Sequence, residues 1–419
     1  MHLIPTFFFM HSSYTSFKRI STVILCTKQI IPFKLFFLVT HFLYIFTAAN
    51  ANELPSVQFD QSKPLIADQN KLAWKKFNIS TVESYVIPAY KNLMTANNNL
   101  HLATQSFCNS LPSTNSEQAL VNLKSIKKVF HYSMDAWQYI QNINFGPIEI
   151  SIRNHSIQFW PDKKNHIGKQ LNKLISGKDL SALMVDGFEK NSISVKGLPA
   201  IERLLFQKNA LEQFKNKPFS CEVLQGISRY LSATASSLHN EWLVIMLPQF
   251  KDATQLDGYF EDDIDAATSL LKTLVEPIEI IRDLKLDRPL GSQFDKAKFK
   301  RLESWRSRRS LVNLKLNLQS LELFFMGTTI DSTAEKTERD KGLRALLTDN
   351  ESIIIENNFK LVKDELHRFK VPLEEAILIK KGYQTAKSLS ISLTKLHKSL
   401  EEAITHSGIR LGFNSRDGD

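Results

Sequence analysis

Glycine and proline are scarce in this chain, 14 of each in 419 residues. So little glycine excludes a fold built on many tight hairpins and directs the reading to long helices. Cysteine is scarcer still: Cys26, Cys108 and Cys221 are the whole set, too few for a disulfide-dense scaffold. The sequence contains no Gly-x-Ser-x-Gly elbow, no glycine loop of the phosphate-cradling kind and no His-Glu-x-x-His pair, so no nucleophile or zincin helix stands out. No stretch alternates basic and aromatic residues as a nucleic-acid groove requires. Lys and Arg are interspersed with acids along the chain, so the net charge of +10 reads as a solvated surface, and no nucleic-acid partner is expected. What remains is 43% hydrophobic and 23% charged, ordinary globular values in a chain long enough for two domains.

The first residues carry a different pattern. Lys28 and Lys34 precede the apolar run Leu35–Phe46, and Ala49-Asn50-Ala51 follows as a small-x-small cleavage site. This predicts an export signal over 1–51, cleaved after Ala51. The run is shorter than the ~20 apolar residues a spanning helix needs, so no membrane span is expected after processing; an uncleaved anchor is the rival reading. Export would leave Cys108 and Cys221 in an oxidising compartment, where they either pair or stay as two buried thiols.

Residues 52–80 read as an extended lead-in. From Thr81 apolar residues recur at three and four, through Val82, Tyr85, Val86, Ala89, Leu93, Leu100 and Phe107, with a kink expected at Pro88. A helix over 116–140, capped by Ser116, follows. Short helices are expected at 166–176 and 179–187, and a long one from Phe219 to Ile245. Pro248, Gly258 and the acidic patch Glu261–Asp265 mark a domain boundary. Beyond it, helices are predicted over 262–284 (broken near Pro277), 299–326, 340–370 and 372–407, with Asp287–Gly291 as a loop. The fold class is therefore all-α: two packed helical bundles, one over 52–250 and one over 251–419.

The stretch Lys196-Gly197-Leu198-Pro199-Ala200-Ile201-Glu202-Arg203 opens a helix. Pro199 suits a first helical position, and Glu202 is placed in the first turn, where the helix dipole favours a carboxylate. Gly197 and Glu202 stand in register with the glycine-x-histidine-x-x-glutamate signature of the imelysin family, which this segment resembles. Pro199 occupies the histidine position. Three separated islands agree with that family in order: Asp135-Ala136-Trp137, Phe145-Gly146-Pro147 and Trp160-Pro161-Asp162. The Pro-Leu-Gly loop, the arginine-rich entry to the 299–326 helix and the ending from Leu411 to Asp419 are also similar, so the resemblance spans nearly all of the processed chain.

The resemblance implies an imelysin-like fold with the 197–206 segment near a cleft between bundles, a periplasmic location, and a choice of functions. The family includes a metal-dependent protease that cleaves insulin, and its members are often connected with iron uptake. The family's histidine and glutamate, three apart, could place a nitrogen and an oxygen on a metal; proline offers neither donor nor acceptor. The expectation is therefore a non-enzymatic exported protein associated with iron or another metal, with envelope iron-uptake proteins as partners. Metallopeptidase and envelope scaffold are the alternatives. Glu202 is the one catalytic candidate, with Gly197, Pro199 and Arg203 completing the signature. Glu202, set beside Arg203, is also read as forming an ion pair across the domain interface. Trp160, Asp162 and Arg306 are candidate cleft residues, and Trp137 is assigned to the core. His397 with Glu401, Glu402 with His406, and the Glu261–Asp265 patch have metal-compatible spacing but read as surface contacts and a dipole effect.

Overall fold

The computed structural model describes residues 63–255, 257–328 and 342–412. The expected export signal and the ending beyond Gly412 lie outside the described residues. The described residues fall in one compact unit and are helical with no strand.

Helix α1 spans Lys63–Thr81, so much of the expected lead-in is helical. Trp74 and Phe77 bury their rings and anchor it. A π-helical turn, Val82–Val86, leads into α2, Ile87–Ser110. Helix α3 covers Ser116–Ile140. Its cap is Asn115, one residue before the expected Ser116, whose side chain accepts from the Gln118 N–H at 2.8 Å and satisfies an otherwise orphaned donor. Helix α4 is His166–Gly177, α5 is Leu198–Phe206 and α6 is Phe219–Glu241. Helices α2, α3 and α6 pack side by side, with α5 against α3 and α6. Between α2 and α6, Cys108 and Cys221 form a disulfide.

Beyond the 252–262 connection come α7, Asp263–Glu279; α8, Ser310–Met326; α9, Asp349–His367; and α10, Lys380–His406. Helix α10 packs on α7 and α9, while α1 lies on α7 and α3 on α8, so the two helix groups share contacts. Asn78 of α1 donates to the Asp263 carbonyl at 2.8 Å, tying the groups at the connection.

Prolines bend these helices without ending them. The N–H of Ile87, of Leu247 and of Arg288 each bonds a carbonyl five residues back, to Val82, Trp242 and Asp283. Each of those residues immediately precedes a proline: Pro88, Pro248 or Pro289. Widening the turn moves the proline ring off the carbonyl it would otherwise strike. For this reason the Asp287–Gly291 stretch is helical as far as Leu290, and the loop begins at Gly291, whose φ is +68°.

The expected 299–326 helix is shortened to Ser310–Met326. Residues 299–309 are short 3₁₀ and turn segments, in which Ser304 and Arg308 take φ of 53° and 59°. Non-glycine residues in that region are held there by their surroundings. Arg306, Arg308 and Arg309 therefore sit on an irregular segment, free of the helical register that would spread them around a cylinder.

Candidate functional site

The signature glycine is needed for close approach. Gly197 has extended backbone, but a Cβ there would lie 2.2 Å from the Ile157 carbonyl oxygen and 2.3 Å from that of Ser156. The start of α5 is thereby pressed against the residues that lead into Trp160. Leu198 is the first helical residue and Pro199 the second, so Glu202 falls beyond the first turn; the dipole is not what holds it. Ile201, Leu204 and Leu205 are buried, and the Glu202 carboxylate goes under with them, 4% exposed.

In place of the expected ion pair, Glu202 meets a serine of the other half of the chain. Its Oε1 accepts from the Ser307 N–H at 2.9 Å and from the Ser307 hydroxyl at 2.8 Å. Burial pushes its carboxyl above the usual range, opposed by the Ser307 bonds and the nearby Arg306 charge. Arg203 instead donates to Asn165 Oδ1 at 2.8 Å. Gly168 makes the room: a Cβ there would lie 2.5 Å from the guanidinium.

The Asp162 carboxylate accepts from the His166 and Ile167 N–H groups at 2.7 and 3.1 Å. It fixes the start of α4 and the loop before it. Trp160, Asp162, Pro199, Glu202 and Arg306 all line one cleft of about 710 Å³. The candidate cleft residues and the signature segment are thus brought together, between the 158–167 loop and α5 on one side and residues 288–306 on the other.

Behind the cleft lies a buried polar network. Glu303 forms an ion pair with Lys285 at 3.0 Å, and both are buried. Its carboxylate also accepts from Gln158 and Asn313 at 3.0 and 3.1 Å. Lys285 donates to Gln138, Gln141 and Asn317; burial pushes its ammonium below the usual range, against the opposing pull of Glu303. A buried pair requires such additional bonds to offset desolvation. Arg309 pairs with Asp135 of the first sequence island, and Trp137 of the same island is core.

Sequence reading missed Ser307, Glu303 and Lys285, which come from distant segments. It also missed the cations. Lys163, Lys164, Arg288, Lys298, Lys300 and Arg301 line the same cleft as Arg306. The scatter of basic residues along the sequence is undone by folding. The crowding of Lys and Arg between 285 and 309 was the available signal.

The other spaced pairs are ion-pair contacts, partly buried at His397 and exposed at His406. His397 lies 3.9 Å from both Glu401 and Glu279. His406 pairs with Glu351 at 3.0 Å rather than with Glu402, which faces Lys398. In the acidic patch, Asp262 caps α7 by accepting from Ile264 and Asp265. Among the described residues, no group of three or more His, Cys, Asp or Glu side chains is placed to hold a metal ion. At the signature, Pro199 contributes no donor and one Glu202 oxygen is engaged by Ser307, so these residues do not fit a metal centre of the His–Glu kind.

The fold and site define an all-α protein with a ligand-sized cleft beside a buried glutamate. Comparison with known proteins agrees on the fold. The model of the imelysin family matches residues 86–400, and the chain belongs to that family. An imelysin-like protein from Psychrobacter arcticum 273-4 aligns with a TM-score of 0.61 at 17% identity, over 82% of this chain and 98% of the other. A provisionally assigned iron-regulated protein A precursor from Parabacteroides distasonis ATCC 8503 aligns with a TM-score of 0.62 at 15% identity, over 79% and 95%. No curated protein matches the chain. Among the described residues no helix is long and apolar enough to cross a membrane.

Proposed function

We propose that this chain is an exported, periplasmic, non-enzymatic binding protein connected with iron or other metal acquisition, with envelope iron-uptake proteins as its partners. One observation carries the non-enzymatic reading: at the signature, proline replaces imidazole and one oxygen of the remaining carboxylate is held by Ser307. The name of the Parabacteroides distasonis protein supports the iron connection. On this reading the 52–250 and 251–419 bundles act as two jaws and iron is cargo, held in the cleft they share.

Two assays on the purified chain separate this from a metallopeptidase. Calorimetric titration with ferric and zinc salts, with the melting temperature followed in parallel, should show stoichiometric binding that stabilises the native state. Incubation with unfolded insulin chain should leave it intact. Chelator-sensitive cleavage lost in Glu202→Ala would reverse the assignment.

A further inference from the structure

The cleft beside Glu202 is lined by seven basic side chains and two acidic ones, Asp162 and Glu202. Both acids are engaged: Asp162 by two backbone N–H groups and Glu202 by Ser307. Among the described residues, none of the seven cations forms a salt bridge, although Lys296, just outside the lining, pairs with Asp295. Like charges are instead held close to one another. Arg301 donates to the Arg288 backbone carbonyl, and burial first, then the Arg301 charge, pushes the Arg288 guanidinium below its usual range. Arg306 is pushed down by burial and by Arg203, against the opposing pull of Glu202 and Asp162, two acids shared among seven cations. Keeping uncompensated positive charge in a concave, partly desolvated site is unfavourable unless something negative enters it.

The lining is also shaped for more than point charges. The Arg306 guanidinium lies over the Trp305 ring, 4.3 Å from its centroid, and Trp305 meets Phe299 edge-on at 5.7 Å. This contact restrains the guanidinium at the cleft wall, where its N–H fork suits a planar oxyanion. Lys298, Lys300 and Arg301 are exposed at the mouth, positioned to steer an anion inward.

We infer that this cleft is a receptor site for a compact, multiply charged oxyanion, a polycarboxylate or oligophosphate, gripped by Arg288, Arg301 and Arg306. The inference rests on the cleft being the ligand site of the proposed binding protein. It also reconciles a metal connection with the missing ligand set: iron enters as the core of an anionic chelate, and the protein's cations contact the chelate's carboxylates.

The test is calorimetry on the full processed chain with three probes, citrate, ferric citrate and pyrophosphate, alongside tryptophan fluorescence for Trp305 and Trp160. Binding of at least one probe is expected, weakening about tenfold between ~0.05 and ~0.5 M salt. Lys300→Glu/Arg301→Glu, at exposed positions, should weaken it at least about tenfold. Lys395→Glu/Lys398→Glu, the same charge change outside the cleft, should leave it within about twofold. No binding of any probe at millimolar concentration overturns the inference, as does equal loss in both double variants. The arms also separate it from the parent reading. Citrate or pyrophosphate binding with no gain from iron upholds the anion site and removes iron from the proposed function. Iron uptake from a non-coordinating salt with no binding of citrate, ferric citrate or pyrophosphate upholds the metal connection and overturns the anion site.

Discussion

A single oxygen of Glu202 receives both the N–H and the hydroxyl of Ser307, 105 residues away along the chain. This contact joins the signature helix to the irregular segment that carries Arg306. It makes the glutamate a strut between the two walls of the cleft, where a hydrolytic site would need it as a ligand.

Glu202→Ala should therefore destabilise the fold by about 1–3 kcal/mol, because it removes the shared acceptor of the part-buried Ser307 N–H and hydroxyl. Glu202→Gln keeps an acceptor and should not. The folded carboxyl sits above its unfolded value, so the stability it contributes is complete below the unfolded pKa and declines as pH rises through the folded one. Melting curves from pH 4 to 7 should show the wild type losing ground to Glu202→Gln as pH increases; parallel curves would contradict this.

Restoring the family residue should not restore a metal centre. Pro199→His with Glu202 supplies two donors, where a stable site needs three or four. The expected outcome is no chelator-sensitive cleavage of unfolded insulin chain by the variant. Cleavage would show that further ligands are recruited from the cleft.

Breaking the Lys285–Glu303 pair on one side leaves a buried charge alone. Either Lys285→Met or Glu303→Leu should cost about 3–5 kcal/mol, with the double variant losing less than the sum. Chemical denaturation of the four proteins checks this, and additive losses would rule out coupling.

His131 is packed against Phe206 and Phe130, and burial, with Arg309 and Lys127 nearby, pushes its imidazole down to about 4. The folded value lies below the unfolded one, so the contribution of the neutral ring is full above about pH 6.5 and is lost as pH falls towards 4. His131→Phe should flatten the stability profile across that window. An unchanged profile would show that the ring accepts a proton without penalty.

The Cys108–Cys221 disulfide closes 113 residues of chain. Reduction, or Cys108→Ser/Cys221→Ser, should lower stability by about 2–4 kcal/mol. A melting temperature insensitive to reductant in the native protein would show the bond to be dispensable.

Apolar periodicity made the helices legible, because a stripe at three and four reports burial directly. It gave α2, α3 and α6 nearly in full. It failed over 63–81, where α1 is mostly polar and only Trp74 and Phe77 signal its packing. It also failed over 299–309, where apolar spacing continues although the backbone does not. At the site, Gly197 and Glu202 were readable from the signature, but their causes were not. The glycine is required by the Ile157 carbonyl, and the glutamate by a serine in the other half of the chain; neither relationship has a local trace. The cations were visible one by one, and only the fold shows that they converge.

The three widened turns bear on how this architecture tolerates change. Each lets a rod pass its imino acid and continue, so what a sequence ruler counts as six segments behaves as three long bent struts. The cleft-forming Arg288 sits at the elbow of one of them, next to Pro289. Shortening Ile280–Asp287 by one residue would return the Pro289 ring to the carbonyl it now avoids and rotate Arg288 by about a hundred degrees about the helix axis, away from the pocket mouth, with the hydrophobic core left to absorb the difference.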